Sequence, residues 1–144
     1  MPSEVKDFRV FVADDEPLIA ITLEAILKQH GYQARSFIEP LEVLRAAQSE
    51  QPDLLLTDVN MTEGSGLDLA RELQRIHPAC KILLISGKEL NDGLVTKMEC
   101  NLYQFHLLQK PIHPLELLDE IDEMLSGFRS QVQGCGLKGE QHEV

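Results

Sequence analysis

Apolar residues along the chain follow two rhythms. Nearly continuous runs at 8–13, 53–57 and 81–85 have the length and make-up of strands buried on both faces. Two further runs of strand length lie at 32–37 and 105–108. Between them the spacing changes to that of helices. A helix over 16–30 puts Ile19, Leu23, Ile26 and Leu27 on one stripe, with Pro17 near its start and Gly31 past its end. A second, over 40–50, opens with Pro40 and carries Leu41, Leu44 and Ala47. A third, over 66–77, repeats Leu67, Ala70, Leu73 and Ile76 behind Ser65-Gly66-Leu67-Asp68, a start resembling a capping box. The last, over 114–126, carries Leu117, Leu118, Ile121, Met124 and Leu125, with Gly127 as its stop. Residues 88–100 hold helical spacing only at Leu90, Leu94 and Met98 and contain Asn91-Asp92-Gly93, so a short or mobile helix is expected there.

Five strands alternating with five helices predict an α/β domain over 8–127: a doubly wound parallel sheet covered on both faces. Right-handed crossovers leave few topologies, and the flavodoxin-like order 2-1-3-4-5 is the common one at this strand count. The glycine-containing stretch 128–144 shows no period and is expected to be disordered. In such sheets ligands bind beyond the carboxyl ends of the strands, near strands one and three.

Charge narrows the function classes. The 144 residues carry 24 Asp+Glu against 13 Lys+Arg, a net charge of −11. That excess disfavours direct binding to DNA or to an anionic membrane and is compatible with a cation site or a basic partner. Cys80, Cys100 and Cys135 are odd in number and widely spaced, which points to a reducing cytoplasm rather than a disulfide framework or zinc site. No apolar run approaches the length needed to span a bilayer, and the first residues lack the apolar stretch of a signal peptide.

The predicted strand ends hold the candidate chemistry. Strand one ends in Asp14-Asp15. Either acid can cap the following helix, and the pair also offers the hard oxygens that Mg²⁺ prefers. Strand three ends in Asp58, within Leu55-Leu56-Thr57-Asp58-Val59-Asn60-Met61. That acid suits a turn, yet three carboxylates held together need a neutralising cation, beside which one can attack a phosphoryl group. Strand four ends in Ser86-Gly87, a helix cap or a hydroxyl donor to phosphoryl oxygen. Strand five ends in Lys110-Pro111, where a solvated lysine is the ordinary case and a phosphoryl-binding lysine the alternative; the bond is also a candidate cis peptide.

An acid pair, an acid, a hydroxyl and a lysine at these four strand ends resemble the receiver domain of two-component response regulators, over about 8–127. Receivers are a standard instance of the 2-1-3-4-5 order, so the order adds no independent support. The resemblance implies that Asp58 accepts a phosphoryl group from a phosphohistidine on a sensor histidine kinase or phosphotransfer protein. It implies Mg²⁺ as cofactor, held by Asp15 directly, by Asp14 mostly through water, by Asp58 and by the backbone carbonyl of Asn60. Lys110 and Ser86 would contact the phosphoryl group, while the side chains of Asn60 and Lys88 would tune its loss to water. The signal would pass to an unnamed protein partner as a shift in conformation, so the chain is expected to act as a signalling domain and not as an enzyme.

Departures from the family pattern are Thr62 in place of a common Pro, Ser65 in place of a frequent Asp, and Leu107 in place of the usual switch aromatic. The last helix carries Glu116, Asp119, Glu120, Asp122 and Glu123, unlike the mixed-charge dimer face of many DNA-binding regulators. The residues after 127 are too few for a DNA-binding module, so a stand-alone receiver, or one cut from a longer protein, is expected. Two alternatives remain open. One is a degenerate receiver that works without phosphorylation. The other is a Mg²⁺-dependent phosphohydrolase with an aspartyl nucleophile, although Asp14-Asp15-Glu16-Pro17 lacks the Asp-x-Asp of the haloacid-dehalogenase-like family. A flavodoxin-like phosphate cradle is disfavoured because the same acids would repel phosphate.

Overall fold

Strand residues alternate between two apolar layers, and the sheet is built around that alternation. In a computed structural model, residues 8–61, 64–87 and 105–130 are described, with 127–130 described by their backbone alone. The chain runs β1 (Arg9–Ala13), α1 (Pro17–Gln29), β2 (Gln33–Phe37), α2 (Pro40–Ala46) and β3 (Leu54–Asp58). It continues through a small hairpin, β4 (Asn60–Met61) and β5 (Gly64–Ser65), into α3 (Gly66–Ile76), then β6 (Lys81–Ser86), β7 (His106–Gln109) and α4 (Pro114–Ser130). The main sheet has five parallel strands in the order β2-β1-β3-β6-β7, which is the expected 2-1-3-4-5. The expected helix at 88–100 lies outside the described residues.

Each central strand divides its side chains between the layers. Phe11, Leu55, Ile82 and Leu84 pack with Val43, Leu69, Ala70 and Leu73 of α2 and α3. Val10, Val12, Leu54, Leu56 and Leu83 pack with Leu27, Leu117, Ile121 and Leu125 of α1 and α4. This two-sided burial is why the strands read as continuous apolar runs.

The helix signals work as their chemistry requires. Pro17 and Pro40 stand in the first turns of α1 and α2. Ser65 caps α3, its hydroxyl accepting from the Leu67 N–H at 3.0 Å and the Asp68 N–H at 3.4 Å. Gly31 takes φ 100° after α1. There the Gly31 N–H donates to Lys28 O and the Tyr32 N–H to Leu27 O, a Schellman closure.

Three expectations need correction. Regular helix in α2 ends at Ala46 rather than near residue 50, with the turn carried on by Gln48, Ser49 and Glu50 donating to carbonyls of Arg45 and Ala46. Leu41, expected on its buried stripe, is exposed, and Val43 takes the core position. The last helix does not stop at Gly127 but continues to Ser130, because glycine weakens a helix without ending it unless the backbone turns left-handed. The rest of the expected tail, 131–144, lies outside the described residues. Among the described residues no helix is long and apolar enough to cross a membrane.

Candidate functional site

Parallel register brings the chemistry to one edge. Ala13 pairs with Thr57, Asp58 with Ile85, and Ser86 with Gln109. The residues that follow or end these strands therefore share the carboxyl edge of the sheet. Asp14, Asp15 and Asp58 each offer a carboxylate oxygen within 4.8 Å of the others, the one such metal-capable cluster among the described residues. Lys110 Nζ lies 3.6 Å from Asp58 Oδ2.

Backbone contacts hold each group. The Asp14 N–H donates to Phe37 O at 3.1 Å, tying the end of β1 to the end of β2. Asp14 Oδ1 accepts from the Glu16 N–H at 3.0 Å, so the acid also supports the turn into α1. The Lys110 N–H donates to Ser86 O at 2.8 Å, which sets the lysine beside β6, and the Lys110–Pro111 peptide is cis. The Ser86 side chain is buried, with its hydroxyl donating to Gly87 O at 3.2 Å. The Asn60 N–H bonds to the Asp58 carboxylate, while the Asn60 residue itself is exposed.

Burial is the main influence on the carboxyls of this site. Burial pushes the Asp14 carboxyl above its ordinary value, the Asp58 and Asp15 charges add to this, and the Glu16 N–H and Lys110 oppose it. Asp58 is likewise pushed up by burial and by Asp15, against the pull of Lys110 and the Asn60 N–H. By formal count, one ammonium stands beside three carboxylates. Hard carboxylate oxygens in this arrangement fit a divalent cation such as Mg²⁺.

Two neighbours of Asp58 were not singled out from the sequence. Thr57 Oγ1 donates to the main-chain oxygen of Asp58 at 3.1 Å. Gly66, in the first turn of α3, leans on that same carbonyl: a Cβ placed there would lie 1.9 Å from Asp58 O. A glycine inside a helix start, where alanine is the better helix former, is the only trace this contact leaves in the sequence. Thr62 and Lys88 lie outside the described residues.

A family model, the response regulator receiver domain, matches residues 10–122. The chain belongs to this family. It is thus a receiver domain of the two-component kind, a signalling domain rather than a conventional enzyme. The response regulator receiver protein CpdR of Brucella abortus is 32% identical to this receiver over 120 residues, covering 81% of this chain and 96% of CpdR. The DNA-binding transcriptional regulator NtrC of Proteus hauseri is 32% identical over 127 residues, covering 86% of this chain but 26% of NtrC. The transcriptional regulatory protein CreB of Escherichia coli is 29% identical over 116 residues, covering 50% of its own length. The receiver thus spans a quarter to a half of these two regulators. A CheY-like receiver structure from Methanospirillum hungatei shares the fold, with TM-score 0.79 and 22% identity over 88% of this chain and 99% of that one.

Within this receiver, Leu107 is half-buried on the α2–α3 side of the sheet, packed against the cluster that includes the buried ring of Phe105. An aliphatic side chain therefore fills the position at which the sequence resemblance leads to the expectation of an aromatic.

Proposed function

We propose that this receiver accepts a phosphoryl group on Asp58 from a phosphohistidine of a sensor kinase or phosphotransfer protein, in a Mg²⁺-dependent reaction, and passes the signal to a protein partner by a shift in conformation. The observation that carries this reading is the position of the Asp58 carboxylate, clustered with Asp14 and Asp15 and 3.6 Å from Lys110 Nζ.

The chemistry asks mainly for position and for neutralised charge. An Asp58 oxygen forms a bond to phosphorus as the phosphorus–nitrogen bond of the donor breaks, and the departing imidazole takes up a proton. The product is an acyl phosphate. The Asp14, Asp15 and Asp58 carboxylates and the Asn60 carbonyl would hold Mg²⁺, which when bound supplies positive charge against the phosphoryl oxygens. Lys110 adds a second positive charge beside the acceptor. Ser86, whose hydroxyl now serves Gly87 O, has a donor to turn toward a phosphoryl oxygen.

Incubation with Mg²⁺ and acetyl phosphate is expected to add the mass of one phosphoryl group, stable in acid and lost in base. Asp58→Asn, or a chelator, is expected to abolish the gain. Continued labelling of Asp58→Asn would refute the site, and sustained turnover at enzymatic rates would instead favour a phosphohydrolase.

A further inference from the structure

We propose that Gly66 is a positioning residue for phosphoryl transfer: its missing side chain lets the first turn of α3 close on the main-chain carbonyl of Asp58 and hold the acceptor in line. The inference rests on Asp58 as the acceptor.

Space, not backbone conformation, is what demands glycine here. Among the described residues Gly31 is the glycine with positive φ, so Gly66 sits in a conformation open to alanine. A Cβ at Gly66 would nonetheless lie 1.9 Å from Asp58 O, 2.9 Å from its carbonyl carbon and 3.0 Å from Thr57 Oγ1. Two of these atoms are backbone at the end of a central strand, so relieving the contact requires the main chain to shift. The contact is part of a wider clamp. Thr57 Oγ1 donates to Asp58 O at 3.1 Å. The Gly66 N–H donates to Val59 O at 2.7 Å, and the Val59 N–H to Ile85 O at 2.9 Å. The peptide leaving Asp58 is thus held from β3, β6 and α3 together. The β4–β5 hairpin, pairing Asn60 with Ser65, extends the same hold to the proposed carbonyl ligand.

A methyl group at Gly66 must open this clamp by about 1 Å, and a displacement of that size in a reacting group lowers rates by up to about a hundredfold. Gly66→Ala is therefore expected to lower the maximal rate of phosphorylation by acetyl phosphate at saturating Mg²⁺ by at least about tenfold, with the donor concentration for half-maximal rate little changed. Gly31→Ala, which strains the turn after α1 at the amino ends of the strands, is expected to cost stability and leave the maximal rate within about twofold. Thr57→Val is expected to slow the reaction about threefold, and Thr57→Ser to restore it. A folded Gly66→Ala chain labelled at the unsubstituted rate overturns the proposal alone. If Gly66→Ala does not fold, the Thr57 pair decides: Thr57→Val at the full rate overturns the clamp, and loss with rescue by serine supports it. A failure of the unsubstituted chain to label at Asp58 overturns both the clamp and the reading on which it rests.

Discussion

At the scale of single residues, burial decides which groups remain reactive. Cys80 is buried just before β6, and burial, with the Asp53 charge nearby, pushes its thiol up to about 12. The thiolate is the reacting form, so Cys80 is expected to resist iodoacetamide at pH 8 in the folded chain and to react in denaturant. Mass mapping of the alkylated site checks this; rapid native labelling of Cys80 would contradict it. The sign of the linkage follows. The folded thiol keeps its proton while the unfolded one releases it near 9, so this group costs stability between pH 9 and about 12 and none below. Among the candidate residues, Asp14, Asp15, Asp58, Ser86 and Lys110 were legible as strand-end positions because each ends or follows an apolar run of strand length. Thr57 and Gly66 were not. Their roles depend on one carbonyl that only the folded backbone places between them. The acids of the last helix were legible as charge but not as contacts. Glu120 meets His106 Nδ1 at 2.9 Å, and Asp122 meets His30 Nε2 at 3.1 Å and the Tyr32 hydroxyl. Part of that acidic face therefore fastens α4 to β7 and to the end of α1.

At the scale of elements, the turn after α1 depends on one residue. Gly31 at φ 100° closes the helix, and its neighbour Tyr32 then packs in the same layer as Leu27. An alanine there must enter a left-handed conformation that costs about 1–2 kcal/mol. Gly31→Ala is expected to lower the urea midpoint accordingly, with the slope of unfolding preserved. Because this turn precedes β2, at the opposite edge of the sheet from Asp58, the phosphorylation rate is expected to stay unchanged. An unaltered midpoint would contradict the strain, and a slowed reaction would contradict the separation of the two edges. The same element shows why its limits were readable in advance: proline at the start and glycine at the stop each act through their own backbone. Elsewhere such local signals fail. Gly127 lies within α4, where the helix simply continues. The β4–β5 hairpin has two residues on each side, too few for any alternation to register. Its pairing is imposed by the anchoring of Val59 to β6 and of Gly66 to Val59.

At the scale of the whole molecule, parallel topology concentrates negative charge that a random surface would disperse. The net charge of −11 includes three carboxylates brought within 4.8 Å at one edge, with the Lys110 ammonium 3.6 Å from Asp58. Burial, with mutual repulsion added to it, makes that edge a standing cost to the fold in the absence of a cation. A cation bound only by the folded state lowers that cost by mass action, by about 1.4 kcal/mol at ten times its dissociation constant. The melting temperature is therefore expected to rise by about 3–5 °C in MgCl₂ relative to chelator, compared at matched ionic strength with NaCl. Asp14→Asn keeps an oxygen for the Glu16 N–H but removes one charge. That variant is expected to melt above the unsubstituted chain in chelator and to gain less from Mg²⁺. The two shifts oppose each other because one substitution both relieves the repulsion and weakens the site. Equal melting of the unsubstituted chain in Mg²⁺ and in chelator would mean that the acid cluster holds no cation. A lower melting temperature of Asp14→Asn in chelator would mean that its hydrogen bonds, rather than its charge, dominate at this position.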